Sequence, residues 1–90
     1  MKYRSKIDLI AQMLQVASEG PVLKTKMMYG ALLSQSQLKG LLSLTLNAAL
    51  LAHNKEEQTY QTTQKGLRFL ERYSELSNLF SERLSPPNKL

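Results

Sequence analysis

Ninety residues, 42% of them apolar, suffice for one folded domain with a modest core. The chain has no cysteine and a single histidine, His53, which excludes disulfides and thiolate metal sites, so no metal or cofactor is expected. The formal charge of +5 is carried wholly by residues 1–55, where seven bases face two acids, while residues 56–90 hold five of each.

Such a skew suggests a polyanionic partner; mild basicity for solubility is the bland alternative. No apolar run approaches the roughly 18 residues of a membrane span. The basic N-terminus soon acquires Asp8 and reads poorly as a signal peptide, so a cytoplasmic protein is expected.

Residues 4–18 read as the first helix. Ser5 and Asp8 form an S-x-x-D start, with the acid in the electropositive first turn. Ile7, Ile10, Leu14 and Ala17 make one apolar row, and Leu9, Met13 and Val16 a second. Gly20-Pro21 is a stop. Val22-Leu23 is too short for an independent strand, but it can add one or two ladder bonds to a sheet formed elsewhere.

Residues 24–30 form a short second helix, with Thr25 as its expected cap and Met27 and Met28 as core fillers. Lys24 and Lys26 flank its start, where they can reach phosphates. Residues 31–33 turn into a third helix. Ser34 caps that helix, and Gln37 completes an S-x-x-Q opening.

Leu38, Leu41, Leu42, Thr45, Leu46 and Ala49 mark its buried stripe. The other face carries Gln35, Ser36, Lys39, Gly40, Ser43 and Asn47, which are polar or small and free of acid. A helix of this kind is what a helix-turn-helix lays in the major groove, and equally what an ordinary solvated helix looks like. Gly40 costs about 1 kcal/mol against alanine inside a helix. Either a backbone or nucleic-acid strand approaches it closely, or tertiary packing requires it.

Leu50-Leu51 begin an extended segment. The polar run 52–58 turns, and residues 59–62 are β-prone, so together they read as a hairpin. His53 is expected to be an exposed strand residue, and Asn54 and Lys55 stand at the tip with Glu56 and Glu57. Thr63 caps a last helix that ends before Ser85-Pro86-Pro87. Leu67 and Leu70 can close the core. Phe69, Tyr73, Leu76 and Phe80, spaced 4, 3 and 4, form a heptad seam widened by Leu79 and Leu84 and flanked by Arg72, Glu75, Glu82 and Arg83. That seam wants a partner, most simply a second copy; folding back over its own domain is the alternative.

Helix, short strand, helix, turn, helix, hairpin, helix is the order of a winged helix. The fold class expected is mainly α with a small β-hairpin, a winged helix-turn-helix with an extended C-terminal coiled-coil helix. The expected division is residues 1–66 as the DNA-binding domain, 67–85 as the dimerisation helix and 86–90 as a disordered tail.

The run K-T-K-M-M-Y at residues 24–29, followed by Leu33-Ser34, and Y-x-T-T-x-K-G at residues 60–66 resemble the small archaeal winged-helix family. That family includes the ten-kilodalton Sulfolobus DNA-binding protein and ArnR-like regulators. The resemblance covers residues 3–76. It implies double-stranded DNA as partner, a homodimer joined by an antiparallel coiled coil of the last helices, and a nucleoid-associated location.

The family's third helix usually carries more lysine; here Ser36 and Gly40 stand where a base is common, and Glu56-Glu57 enter the wing. Fewer phosphate contacts mean weaker affinity and a shallower salt slope. The expected DNA contacts are Lys24, Lys26, Ser34, Gln35, Ser36, Gln37, Lys39, Ser43, Asn54 and Lys55. The expected dimer contacts are Phe69, Tyr73, Leu76 and Phe80.

An enzyme is not expected. The chain has no cysteine nucleophile, P-loop, H-E-x-x-H or G-x-S-x-G. Adjacent Glu56 and Glu57 would point to opposite sides of a strand. A winged helix that binds protein rather than DNA is the alternative function.

Overall fold

A computed structural model describes residues 5–84, with side chains described to residue 79. The Ser5–Asp8 pair opens helix α1, Lys6–Val16, as a full capping box: Asp8 N donates to Ser5 Oγ at 3.2 Å and Ser5 N to Asp8 Oδ2 at 3.1 Å. Leu9, Ile10, Met13 and Leu14 face the core, whereas Ile7 is half exposed. The row expected to start at Ile7 starts one turn later, because the described residues leave Ile7 half exposed. The helix also ends before the expected Ser18; Gly20, at φ +154°, turns the chain in a conformation that side chains rarely adopt.

Strand β1, Val22–Leu23, runs straight into α2, Lys24–Gly30. Thr25 is not the cap of α2. Leu23 holds that position and supplies no side-chain hydrogen bond. Helix α3, Gln35–Asn47, carries the second capping box, Gln37 N to Ser34 Oγ at 3.1 Å and Ser34 N to Gln37 Oε1 at 2.9 Å.

Both α2 and α3 end in Schellman motifs. Leu33 N donates to Met28 O and Leu32 N to Tyr29 O; Leu50 N donates to Thr45 O and Ala49 N to Leu46 O. The residue that must turn left-handed is Leu32 in one, at φ 56°, and Ala49 in the other, at φ 63°. Ala49 is therefore outside the helix and exposed, and the buried stripe of α3 stops at Leu46. Thr45 is fully buried and satisfies its hydroxyl on Leu41 O at 2.8 Å.

Strands β2, Leu51–Asn54, and β3, Thr59–Thr62, form the expected hairpin, and β1 adds to its open edge. The three-stranded antiparallel sheet has the order β1-β3-β2, with Val22 opposite Tyr60 and His53 opposite Tyr60 across the other pair. His53 is half buried rather than exposed. Strand alternation puts it on the inner side with Leu51, and its ring stacks on Tyr60 at 4.4 Å.

The segment Y-x-T-T-x-K-G is a clasp. Thr62 N donates to Ala17 O at 3.0 Å and Thr62 Oγ1 to Leu14 O at 2.6 Å, tying β3 to the end of α1. Thr63 Oγ1 donates to Ala49 O at 2.7 Å while accepting from Gly66 N at 3.0 Å, and Lys65 Nζ donates to Ala48 O at 2.8 Å. Thr63 thus caps α4, Gln64–Leu84, and ties it to the end of α3. Phe69 and Leu70 of α4 are partly buried against the core. Tyr73 Oη donates to Asp8 Oδ1 at 2.5 Å, joining α4 to the start of α1. Beyond Tyr73, Ser74, Ser77 and Asn78 line a depression with Gln12 and Gln15 of α1, while Leu76 and Leu79 are 61% and 57% exposed.

Candidate nucleic-acid interface

Helix α3 is held by its stripe, Leu38, Leu41, Leu42 and Thr45, all buried. At about 100° per residue, the side diametrically opposite is Ser36, Gly40, Ser43 and Asn47. Gln35 and Lys39 flank that ridge on one side and Gln37 and Leu44 on the other. All of these residues are exposed and none is acidic.

Of the residues singled out from the sequence, Ser34 and Gln37 meet each other in the capping box, so their first role is to start α3. Gln35, Ser36, Lys39 and Ser43 project from the helix. Lys24 and Lys26 stand exposed in the first turn of α2, which holds no acid. A cation there sits at the positive end of the helix dipole, so it does not stabilise the helix. A cleft of about 510 Å³ brings Lys24 together with Gln35 and Lys39, over a floor of Met28, Leu42, Leu46 and Tyr60. Lys26 is outside that cleft.

Asn54 shapes the wing. Its Oδ1 accepts from Glu56 N at 3.0 Å and Glu57 N at 3.1 Å, an Asx turn that sets the tip. Gln58, at φ 56°, donates from its side chain to Lys55 O and closes the turn. Glu56 and Glu57 lie in this turn and not on a strand, as does exposed Lys55. Among the described residues Lys24, Lys26, Lys39 and Lys55 form no ion pair.

The sequence reading missed Lys6. It lines a groove of about 400 Å³ with Ser36, Gln37, Gly40 and Leu44, on the far side of α3. Only the packing of α1 against α3 brings it there, although its charge was visible. Asn47 belongs to the polar face read from the sequence but not to the expected DNA contacts.

A family model described as winged helix-turn-helix matches residues 3–81. The chain belongs to the winged helix-turn-helix family. The fold is similar to that of Sso10a-2, a DNA-binding protein from Sulfolobus solfataricus, with a TM-score of 0.76 and 21% identity over 89% of this chain and 90% of that one. No curated protein matches the chain. In this winged helix, α2 and α3 are the helix-turn-helix, and the turn between β2 and β3 is the wing. Among the described residues no cluster of acids and histidine can hold a metal ion, and no helix is long and apolar enough to cross a membrane.

Proposed function

We propose that the chain binds double-stranded DNA as a homodimer, with α3 in the major groove and the wing beside the backbone. The observation that carries this reading is the outermost ridge of α3, Ser36, Gly40, Ser43 and Asn47, polar or small at every position and, like its flanks, free of acid. Sso10a-2, similar in fold, is a DNA-binding protein, which supports it. Lys24, Lys26, Lys39 and Lys55 anchor phosphates, and Gln35, Ser36 and Ser43 read base edges. With one lysine on α3, affinity relies less on charge than on base contacts, which suits a regulator better than a protein coating DNA.

Residues 1–66 carry DNA recognition and the distal part of α4 carries dimerisation. Leu76 and Leu79 supply the apolar surface, and Phe69 and Tyr73 continue the seam from the domain itself. Residues 86–90 and the side chain of Phe80 lie outside the described residues.

Duplex binding followed by fluorescence anisotropy tests the reading. Lys39→Glu weakens binding to every duplex, while Gln35→Ala changes preference among duplexes more than overall affinity. The groove beside Lys6, lined by Leu9, Leu41 and a 42% exposed Leu44, favours a protein-binding adaptor as the second reading. Absence of duplex binding by the wild type at low salt would pass the function to that adaptor.

A further inference from the structure

The cleft between α2, α3 and β3 has a feature that DNA contact does not require. Tyr60 is nine-tenths buried, yet its hydroxyl makes no hydrogen bond with any described residue. That oxygen is not sealed off, because His53 Nε2 is the only buried side-chain nitrogen or oxygen without a partner among the described residues. The accessible part of Tyr60 opens on this cleft and on the adjoining depression, both lined by Lys24 and Thr25. The hydroxyl is therefore free to bond a polar group that enters the cleft.

We propose that the cleft binds a small amphipathic organic anion, a carboxylate on an aromatic or branched aliphatic body. The volume of about 510 Å³ fits a small ligand. Met28, Leu42 and Leu46 offer an apolar wall, and the thioether adapts to the shape it meets. Lys24 and Lys39 stand at the rim, and no acid lines the cleft. The carboxylate accepts hydrogen bonds from the lysine ammonium groups and from Tyr60 Oη. Two cations and an unpaired hydroxyl over an apolar floor select an anion with a hydrophobic body over a bare phosphate. Because Lys24, Gln35 and Lys39 are also the proposed DNA contacts, the bound anion competes with the duplex. That competition rests on the DNA-binding reading; the site itself does not.

The test is an NMR titration of the intact chain with phenylacetate, with phenethyl alcohol and inorganic phosphate as controls. Expected are saturable shifts confined to the first turn of α2, to α3 and to β3, absent with the alcohol and with phosphate. Tyr60→Phe keeps the fold and its stability, because the hydroxyl has no partner to lose, and weakens phenylacetate binding about tenfold. Lys39→Gln weakens it about fivefold. Phosphate producing the same shifts, diffuse shifts only, or unchanged affinity in both variants would overturn the site. Duplex affinity is measured separately without phenylacetate. Anion binding without duplex binding leaves the site standing and removes the DNA reading. Duplex affinity unmoved by saturating phenylacetate removes the competition.

Discussion

Gly40 and Gly66 both lie in helices, and their surroundings are opposite. A Cβ on Gly66 would meet Leu50 O at 2.3 Å and Thr62 Cγ2 at 2.6 Å, so only glycine lets α4 start against the end of α3. Gly66→Ala must push backbone apart. Its expected cost is about 2 kcal/mol, within the range for overpacked sites, read as a lower midpoint in urea. Among the described residues a Cβ on Gly40 would meet nothing within 4 Å, so none of them supplies a packing reason for that glycine. Gly40→Ala is expected to stabilise the fold by about 1 kcal/mol, raising Tm by roughly 4–8 °C. On the outermost ridge of α3 the added methyl also lies where a duplex would approach. Reduced duplex affinity alongside the raised Tm is therefore expected, and a stabilised variant with unaltered affinity would show that the glycine serves no ligand.

At the scale of the element, α4 is one helix with two environments. Its first half is fastened by the Thr63–Lys65 clasp and by Tyr73, and beyond them Leu76 and Leu79 stand exposed. The hydrogen bond to Asp8 raises the Tyr73 pKa above the ordinary phenol value, with partial burial and the carboxylate's charge acting in the same direction. A raised pKa means that the contribution is complete below the unfolded value, about 10, and is lost as pH rises through the folded value. Tyr73→Phe is expected to cost about 1 kcal/mol at neutral pH, a modest figure because the pair is partly solvated. Urea titrations at pH 7 and above pH 11 check the sign. The gap between wild type and variant should close at the higher pH, and a constant gap would mean that the ring rather than the hydroxyl holds α4 to α1.

For the whole molecule, the proposal makes dimerisation and DNA binding separable in place but coupled in strength. Burying a leucine contributes about 1.5–3 kcal/mol, so Leu76 and Leu79 from two chains can offset much of the cost of association. Leu76→Glu with Leu79→Glu is expected to give a monomer in analytical ultracentrifugation at tens of micromolar while the circular dichroism of the domain persists. It should also bind duplex more weakly, because one recognition helix replaces two on a rigid spacer. A double variant that stays dimeric would move the interface elsewhere. Lys26→Ala, far from the seam, is expected to leave the mass unchanged and to lower the slope of log affinity against log salt by about one. An unchanged slope would take α2 off the phosphate backbone.

Features set by neighbours within a few residues could be read without the fold. Ser5–Asp8 and Ser34–Gln37 are capping boxes closed over three residues, so both helix starts were legible, as were the polar ridge of α3 and the β-prone run 59–62. Where a helix starts without a side-chain cap, as at Leu23, or ends at Leu32 and Ala49 in place of glycine, local chemistry carries no ordinary signal. Those boundaries are set by what packs against them. Tertiary structure also decided the face of His53, the pairing of β1 with β3 and the return of α4 to Asp8, each joining distant parts of the chain. The polar face of α3 could be read from its periodicity; Lys6 beside Gly40, and Lys24 beside Lys39 over Tyr60, could not. Helical spacing tells which residues share a face, and only the packing of one helix on another tells which faces share a cleft.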